Sequence, residues 1–456
     1  MTTTTHQAVQ PEFRWLVILV SIGFFMQALD TTIVNTAIPA MAIQLNENPL
    51  QMHSVIVAYV LSVAACIPLS GWLADRFGIR NIYLSSMVIF SLASLGCGLS
   101  QNLEQLLFFR VIQGIGGALL MPVGRLALLK LIPRSQFLSA MSLMSLAGLI
   151  GPLMGPTLGG WLVEVATWHW IFLINLPMGI LGMIMTFKIM PNQKEPTVKT
   201  FDFSGFILLM VAMVGLSLGI ENMASSQYSN LVSISLLLIG IIATVSYAYH
   251  AHTHQNALFH GRLFRYKIFS IGVLGNFFAR LGSNAIPFIL PLMLQVAFGF
   301  EPFITGLMMI PLVLGSLFSK PIIRPLIQRV GYRRFLLTNT ILVGLCIASF
   351  SFMTAVTPLW LKVLHLFIFG TLNSLQFVGM NTLTLKDLPQ HDASSGNSFL
   401  SMIMMLSMSI GVAMAGTLIN LFSQHFSTTS MSSAFHATLI TLGCINIITA
   451  IIFWQI

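Results

Sequence analysis

Long apolar stretches alternate with short polar segments along nearly the whole chain, and within each stretch the apolar residues are continuous. A helix needs about 20 residues to cross the ~30 Å hydrocarbon core of a bilayer, and the stretches reach that length. A membrane β-barrel would instead alternate apolar and polar residues over about ten residues per strand. The pattern therefore predicts an all-α, polytopic membrane protein.

Fourteen membrane-spanning helices are expected. They are placed at 14–40, 51–73, 80–99, 103–130, 135–163, 168–190, 203–221, 230–250, 267–298, 303–325, 332–355, 358–385, 394–422 and 433–455. Composition agrees with this class, because 56% of the residues are hydrophobic and only 7% are charged, whereas soluble domains have about 25% charged residues. No basic segment or cleavage site precedes the first apolar run, so we expect the first span to be retained.

The basic residues are distributed in a way that predicts an orientation. Eighteen lysines and arginines fall in the loops or towards the span ends on one side, and Lys362 alone falls on the other. Because such residues accumulate in cytoplasmic loops, both termini are predicted to be cytoplasmic. The net charge of +9 is spread over these loops rather than gathered in one patch. The lipid bilayer is therefore the expected partner, and no nucleic acid partner is expected.

A faint internal repeat relates the two ends of the chain. A shift of 253 residues lays GFFMQAL on NFFARLG and ADRFGIR on IQRVGYR, and a shift of 260 lays IGPLMGPTL on IGVAMAGTL. Apolar helices can resemble one another by chance, but three places agree in order and nearly in offset. We therefore predict a 6+2+6 arrangement, with pseudo-symmetric six-helix halves at 1–190 and 267–456 and two inserted helices with cytoplasmic linkers at 191–266. Repeated halves around a central site are typical of transporters.

Charged residues inside the spans are few, and Asp30 in the first span is one of them. A carboxylate at bilayer depth is costly and should face a water-filled cavity or a partner. Gln27, Thr31 and Asn35 fall on the same helix face at helical spacing. We interpret this stripe as a substrate-cavity wall in which Asp30 binds a proton. The alternative is a hydrogen bond that packs helices together.

Arg280 lies in the middle of the ninth span, with Asn276 and Asn284 one turn to either side. Under the shift of 253 it overlies Gln27, so we expect the two polar stripes to face each other across a pseudo-two-fold axis. Its positive charge favours anionic or zwitterionic substrate groups, or it balances Asp30 in a direct ion pair.

Arg110 opens the run RVIQGIGG in the fourth span, about 10 Å from its outer end at 1.5 Å per residue. At a shift of 256 residues, its counterpart in the second half is Leu366, so the half with Asp30 and Arg110 is the candidate for proton handling. Gln113, one turn further on, is assigned to the cavity. GIGG does not follow a strand, which excludes a dinucleotide-binding loop.

The segment GWLADRFGIRN between the second and third spans is a candidate gate motif. Its members are Gly71, Asp75, Arg76, Gly78 and Arg80. Asp75 is expected to cap the third helix at its positive N-terminal end, while Arg76 and Arg80 face the anionic membrane surface. The segment is also a candidate latch between the halves, and an asymmetric one, because Gln328 stands in place of Asp75 in the second copy.

The fifth span contains the run AGLIGPLMGPTLGG, in which glycine and proline recur every four residues. The members are Gly148, Gly151, Pro152, Gly155, Pro156, Gly159 and Gly160. They form two neighbouring rows on one helix face, where glycine permits another helix to approach closely and proline favours a bend. We predict a bent fifth helix packed near the interface between the halves.

The remaining chemistry-bearing residues predict no catalytic site. The four cysteines lie in apolar stretches without pairing or metal-type spacing. His250, His252, His254 and His260 could hold a metal, although a solvated loop is the favoured interpretation. No nucleophile with a histidine and acid partner can be assembled in the spans, and no Walker-type nucleotide loop is present. We therefore expect no enzyme, no metal and no other cofactor.

These motifs resemble those of the major facilitator superfamily across essentially the whole chain. GWLADRFGIRN is similar to its motif between spans two and three, although Ile79 stands where a basic residue is usual. RVIQGIGG is similar to its fourth-span arginine motif, and AGLIGPLMGPTLGG to its antiporter motif. LDTTIVNTAIP and WHWIFLINLPMGI, together with fourteen spans, resemble the drug:proton antiporter family of the fourteen-span type.

The resemblance implies the superfamily fold, proton-driven efflux across the inner membrane of a Gram-negative bacterium, coupling by Asp30 and Arg110, and an inner gate at Asp75 and Arg76. The predicted function is export of amphipathic small molecules (multidrug efflux) by alternating access, by a monomer. The alternative is export of an anionic metabolite or metal chelate, such as a siderophore or iron–carboxylate complex, which Arg280 and its asparagines favour. A membrane receptor or scaffold is a third hypothesis, disfavoured because no sizeable soluble domain is present.

Overall fold

The computed structural model describes residues 10–196, 200–224, 230–254, 256–425 and 431–456, and over these it consists of helices and their connections. Fourteen helices are long and apolar enough to cross a membrane, which confirms the predicted all-α class and span number. They are labelled α1 to α14 in chain order: Pro11–Leu45, Pro49–Cys66, Ile79–Gly98, Leu103–Leu131, Ser135–Val165, Trp170–Ile189, Phe203–Glu221, Leu231–Thr253, Lys267–Ala297, Pro302–Val330, Tyr332–Phe352, Leu359–Lys386, Ser395–His425 and Met431–Phe453.

The second span departs from its predicted bounds. The sequence predicts one helix at 51–73, but α2 ends at Cys66 and a separate short helix, Leu69–Phe77, follows it. Pro68 lies between the two, and a proline cannot donate the backbone hydrogen bond that would continue the first helix. The gate motif therefore begins on a helix of its own.

The turns before α3 and α11 share an unusual backbone conformation. Gly78 has a φ of +94° and Gly331 a φ of +78°, and this left-handed region is readily accessible only to glycine. The shift of 253 residues aligns these two glycines. The internal repeat thus has a counterpart in the backbone at this pair of turns, while the 6+2+6 division as a whole stays a prediction.

Both described ends of the chain lie at one face of the helix bundle, together with these two turns. The backbone N–H of Gln10 donates to Oε1 of Gln136, at the start of α5. At the other end, the guanidinium of Arg333 lies 5.3 Å from the ring centroid of Trp454. We call this the gate face, defined by residues 74–80, 132–136 and 330–333, and the other side the opposite face.

The glycine and proline run of α5 contacts two different helices. A side chain at Gly148, Gly151, Gly155 or Gly159 would collide with α1, at residues between Phe24 and Thr36. Gly160 instead packs against the backbone of Pro302 and Phe303 in α10, and Gly306 of α10 packs against the backbone of Pro156. One row therefore holds α1 within the first six helices, and the other row faces the last six.

Among the described residues, three hydrogen bonds join the first six helices to the last six, and all three lie towards the opposite face. The hydroxyl of Thr157 donates to the carbonyl of Gly306 at 3.3 Å. The amide of Gln295 donates to the carbonyl of Thr36 at 3.0 Å. The backbone N–H of Phe303 donates to Oε1 of Glu164 at 2.7 Å. The two groups of helices are thus closed against each other on that side.

Candidate proton and substrate site

Asp30 and Arg110 form an ion pair in the interior of the first six helices. Nη1 of Arg110 lies 2.6 Å from Oδ2 of Asp30, and their side chains are 1% and 0% exposed. Removing two charges from water is costly, and their attraction offsets that cost only when the remaining polar atoms are also satisfied. The surroundings of the pair therefore decide whether it is stable.

Two amides complete the coordination of the Asp30 carboxylate. Nε2 of Gln113 donates to Oδ1 at 2.7 Å, and Nδ2 of Asn175 in α6 donates to the same oxygen at 3.2 Å. Both amides also donate to Oγ of Ser94 in α3, at 2.7 and 3.3 Å. The carboxylate thus joins α1, α3, α4 and α6 in one polar network.

Arg110 is held in place by contacts besides Asp30. Its Nε donates to the backbone carbonyl of Val55 in α2 at 3.1 Å, and its Nη1 also donates to Oε1 of Gln113 at 2.7 Å. The guanidinium lies 4.2 Å from the ring centroid of Tyr59, within range of a cation–π interaction. In this conformation both carboxylate oxygens of Asp30 accept hydrogen bonds, and the residue is fully enclosed rather than lying at an open cavity.

The other polar residues predicted for the cavity wall of α1 lie near Asp30 but outside its hydrogen-bonding network. Gln27 is buried, and its Oε1 has no hydrogen-bond partner among the described residues. Thr31 donates to the backbone carbonyl of Gln27 at 2.7 Å, and Asn35 is buried. A buried acceptor without a donor is costly in an apolar interior, and Oε1 of Gln27 is such an acceptor in the described part of the chain.

Arg280 in α9 pairs with amides and an aromatic ring instead of Asp30. Its Nε donates to Oδ1 of Asn276 at 3.1 Å, and its Nη2 donates to Oδ1 of Asn381 in α12 at 3.3 Å. The guanidinium lies 3.7 Å from the ring centroid of Phe377. The predicted alternative of an Asp30–Arg280 ion pair is wrong for this conformation, because Arg110 occupies the carboxylate.

Asn276 and Asn284 differ in their surroundings. Asn276 is fully buried and donates to the hydroxyl of Thr384 at 3.1 Å, so it positions Arg280. Asn284 is half-buried. Arg280 has no carboxylate within ion-pair distance in the described part of the chain, and its charge is balanced only by dipoles and a π face.

The gate motif is engaged with the linker that follows α6. Nζ of Lys130 at the end of α4 lies 2.9 Å from Oδ1 of Asp75 and 2.5 Å from Oε1 of Glu195. The backbone N–H of Glu195 also donates to the carbonyl of Asp75 at 3.1 Å. A side chain at Gly78 would collide with the amide of Asn192. The segment Pro191–Glu195 thus lies across the motif.

One expectation for the gate motif needs correction, and a second is not tested by this conformation. Within the described residues, Asp75 makes no capping hydrogen bond to α3, because its carboxylate is turned towards Lys130. In this conformation the described ion pairs of the motif join it to α4 and to the linker, so the latch between the halves stays a prediction. Arg76 packs over the ring of Trp72 at 5.1 Å and Arg80 over Phe187 at 5.8 Å. Gly71 has open space beside it, because no described atom outside its own stretch of helix lies within 4 Å of the position that a Cβ would take.

The histidine-rich segment is largely helical. His250, His252 and the residues before them belong to α8, and Nε2 of His250 lies 2.9 Å from both carboxylate oxygens of Asp202. His254 stacks on His250 with the ring centroids 4.6 Å apart. The expected loop is therefore wrong for His250 and His252, whereas His254 and His260 lie beyond the helix. No group of three metal-binding side chains is brought together in the residues that the structure describes.

An apolar cavity of about 670 Å³ lies between α1, α5 and α6. Its lining includes Arg14, Phe25, Ile150 and Leu181, and none of the residues predicted for the substrate cavity.

Several residues of these sites were not predicted from the sequence. Asn175, Ser94 and Asn381 are polar residues within apolar spans, and that cost alone marks them as candidates. Lys130 and Glu195 lie near the ends of spans, where charges are common, so the sequence carries no signal for their pairing.

Comparison with known sequences places these features in a family. The sequence profile of the Major Facilitator Superfamily matches residues 20–412 and again 272–455. A "Putative multidrug resistance protein MdtD" from Escherichia coli O6:H1 is 51% identical over 448 residues, covering 97% of this chain and 94% of the relative. A protein of the same name from Pectobacterium atrosepticum is 52% identical over 411 residues, covering 90% and 88%.

Solved structures share the fold at low sequence identity. A D-xylose–proton symporter aligns with a TM-score of 0.69 at 14% identity, covering 97% of each chain. A POT family transporter in complex with 5-aminolevulinic acid aligns with a TM-score of 0.72 at 16% identity, covering 96% of this chain and 95% of that one. At sequence identities this low, the similarity supports a shared fold and nothing about function. The chain is a multi-pass membrane transporter, not an enzyme, and belongs to the major facilitator superfamily, in the group of the MdtD relatives.

Proposed function

We propose that the protein is a proton-coupled antiporter that exports amphipathic small molecules from the cytoplasm across the bacterial inner membrane. The observation that carries this proposal is the enclosed Asp30–Arg110 pair, a titratable carboxylate tied to four helices in a chain with few intramembrane charges. The name of the MdtD relatives supports the substrate class.

Alternating access would move 1–190 against 267–456 about a central site, with 191–266 as an insertion. In our proposal the gate face, which carries both chain ends, is cytoplasmic, because the basic residues accumulate there. The hydrogen bonds from Thr157, Gln295 and Phe303 lie on the periplasmic side. The described conformation then corresponds to a state closed to the periplasm. The transporter would act as a monomer.

Proton binding to Asp30 would change the network in a defined way. A neutral carboxyl loses its ion pair with Arg110, and its new O–H must find an acceptor among groups that now donate to it. The enclosed arrangement therefore disfavours the protonated form more strongly than an arrangement in which water reaches the carboxyl group and can accept its hydrogen. Coupling follows if each conformation that encloses the site prefers one charge state of Asp30.

Arg280 favours a second candidate substrate class. Its guanidinium is buried without a carboxylate in the described part of the chain, so an anionic group entering the centre would gain a charge-assisted hydrogen bond. Export of an anionic metabolite or metal chelate, such as an iron–carboxylate complex, is the function that this feature would serve.

Everted membrane vesicles that contain the overproduced protein separate these functions. With the interior acidified, we expect lipophilic cations such as tetraphenylphosphonium to accumulate inside, and a protonophore to abolish that accumulation. Movement of iron–carboxylate complexes without movement of lipophilic cations would instead support the second candidate. Transport that persists after the proton gradient is collapsed would contradict proton coupling.

A further inference from the structure

Helix α7 connects the first six helices to the last six at the side of the bundle. On one side, Oγ of Ser217 lies 2.8 Å from Oγ of Ser409 in α13, and Thr417 of α13 donates to the carbonyl of Ile220 at 3.2 Å. On the other side, the carboxylate of Glu221 approaches His53 in α2. The helix is thus fixed to α13 by neutral hydrogen bonds and to α2 by a titratable pair.

His53 lies where four helices meet near the opposite face. Its side chain is 8% exposed, and its ring contacts the edge of Phe288 in α9 with the centroids 6.3 Å apart. Gly416 in α13 lies so close that a side chain there would collide with the imidazole. Any separation of α2 from α9 and α13 on this side therefore exposes His53.

The hydrogen bonds of His53 determine where its proton sits. Nδ1 lies 3.1 Å from the backbone carbonyl of Leu50, and a carbonyl only accepts, so Nδ1 carries a hydrogen. The neutral ring then has a bare lone pair on Nε2. That atom lies 3.7 Å from Oε1 of Glu221 and has no hydrogen-bond partner in the described part of the chain.

A carboxylate facing a bare imidazole nitrogen is unfavourable, because both atoms accept and neither donates. One additional proton removes the conflict, either as N–H on His53 or as O–H on Glu221. Glu221 is 13% exposed on its side chain and lies at the edge of a groove of about 370 Å³ between α2, α4 and α7. Because the Glu221 carboxylate is not fully enclosed, the pair can exchange that proton with its surroundings.

Other ionisable groups on the helices packed against His53 and Glu221 are bound to other partners or exposed. On α4, Arg110 is bound to Asp30 and Val55, and Glu104 is exposed in the first turn. On α9, Arg280 is bound to Asn276 and Asn381.

Two further ionisable residues lie in segments that are near the pair in the sequence or on a packed helix. Glu47 lies six residues before His53, in the connection from α1 to α2. His425 ends α13 nine residues beyond Gly416, which is about 13 Å along a helix.

We propose that His53 and Glu221 form a second proton-binding site, which stabilises closure of the opposite face and is separate from Asp30. This inference rests on the proposed alternating access for its consequence. One proton from water at the opposite face binds to the pair as α2 closes against α7, α9 and α13, and it returns to the same water when they separate. The proton is not carried across the membrane, and the site makes closure sensitive to pH on that side.

The sign of the effect follows from linkage. The closed state binds one more proton than the open state, so the ratio of closed to open molecules rises as the pH falls, by at most tenfold per pH unit for one proton. An amide at position 221 would donate to Nε2 of His53 without any titration. The variant Glu221→Gln should therefore close independently of pH.

Spin labels at Gln101 and Val356, both exposed on the opposite face, would report closure by pulsed dipolar spectroscopy. The measurement uses the full chain in nanodiscs with its four native cysteines replaced. All samples carry Asp30→Asn, so that protonation of Asp30 cannot contribute. We expect the ratio of closed to open distances to rise at least threefold between pH 8 and pH 5.5.

Adding Glu221→Gln should abolish this dependence, and His53→Gln, whose amide can donate to Glu221, should do the same. The matched control Glu104→Gln removes an exposed carboxylate on the same side and should leave the dependence intact. A pH response that is already absent with Asp30→Asn alone, or that survives Glu221→Gln unchanged, would overturn the proposal. Failure of proton-driven transport would instead appear in the vesicle assay, which this measurement does not use.

Discussion

Nη1 of Arg110 lies 2.6 Å from Oδ2 of Asp30, and the two side chains are almost fully buried. The pair joins α4 to α1 and completes a polar network in the first six helices. Because neither charge has water to replace its partner, each residue depends on the other for its stability.

Loss of one partner should therefore cost more than loss of both. Arg110→Gln leaves an unpaired buried carboxylate, and breaking such a pair typically costs about 3–5 kcal/mol. The double variant Asp30→Asn/Arg110→Gln should recover much of that loss. Thermal unfolding in detergent measures the difference, and equal or additive losses in the single and double variants would show that the two charges do not depend on each other.

The glycine row of α5 should not tolerate a side chain. At Gly155, an added Cβ would collide with the hydroxyl of Thr32 and lie 3.1 Å from the backbone nitrogen of Ile33. Gly155→Leu should therefore separate α5 from α1 and abolish efflux. Ser145→Leu is the matched control, because it adds the same side chain at an exposed position of the same helix. Normal transport by Gly155→Leu would show that the glycine and proline run of α5 is not required for efflux.

Arg280 should affect which substrates are transported more than whether protons are coupled. Arg280→Ala removes a buried positive charge, whereas Arg280→Lys keeps the charge but loses the planar contacts to Asn276, Asn381 and Phe377. A transport screen should show loss of anionic substrates with Arg280→Ala, and partial retention with Arg280→Lys. An unchanged substrate range in both variants would show that Arg280 does not contribute to substrate binding.

The proposed orientation can be tested at the chain ends. A reporter that is active only in the cytoplasm should be active when fused after Ile456, and a periplasmic reporter should be active in the loop that contains Val356. The reverse activities would invert the assignment of the gate face.

The spans were predictable because the bilayer imposes one length and one composition on every crossing helix. The end of α2 was less predictable, because Pro68 divides an apolar run that is continuous by hydropathy alone. The partner of Asp30 illustrates a further limit. Periodicity predicts the helix face and the membrane depth of Asp30, Arg110 and Arg280. It does not predict which helices are neighbours.

For the gate motif too, the sequence alone does not identify the tertiary partners of its residues. The sequence identifies Asp75 and Gly78 as unusual, and Gly78 does adopt a backbone that favours glycine. The contact of Asp75 with Lys130 and Glu195, however, brings together three segments that are distant in the chain. Such a contact depends on tertiary packing, and one sequence carries no record of it.

The most direct test of proton coupling compares the wild type with Asp30→Asn in proteoliposomes, with Glu104→Gln as an exposed-carboxylate control. A pH gradient should drive uphill accumulation of substrate by the wild type and the control. Asp30→Asn should retain exchange of labelled for unlabelled substrate but lose accumulation against a gradient. Uphill accumulation by Asp30→Asn that still follows the pH gradient would contradict the account.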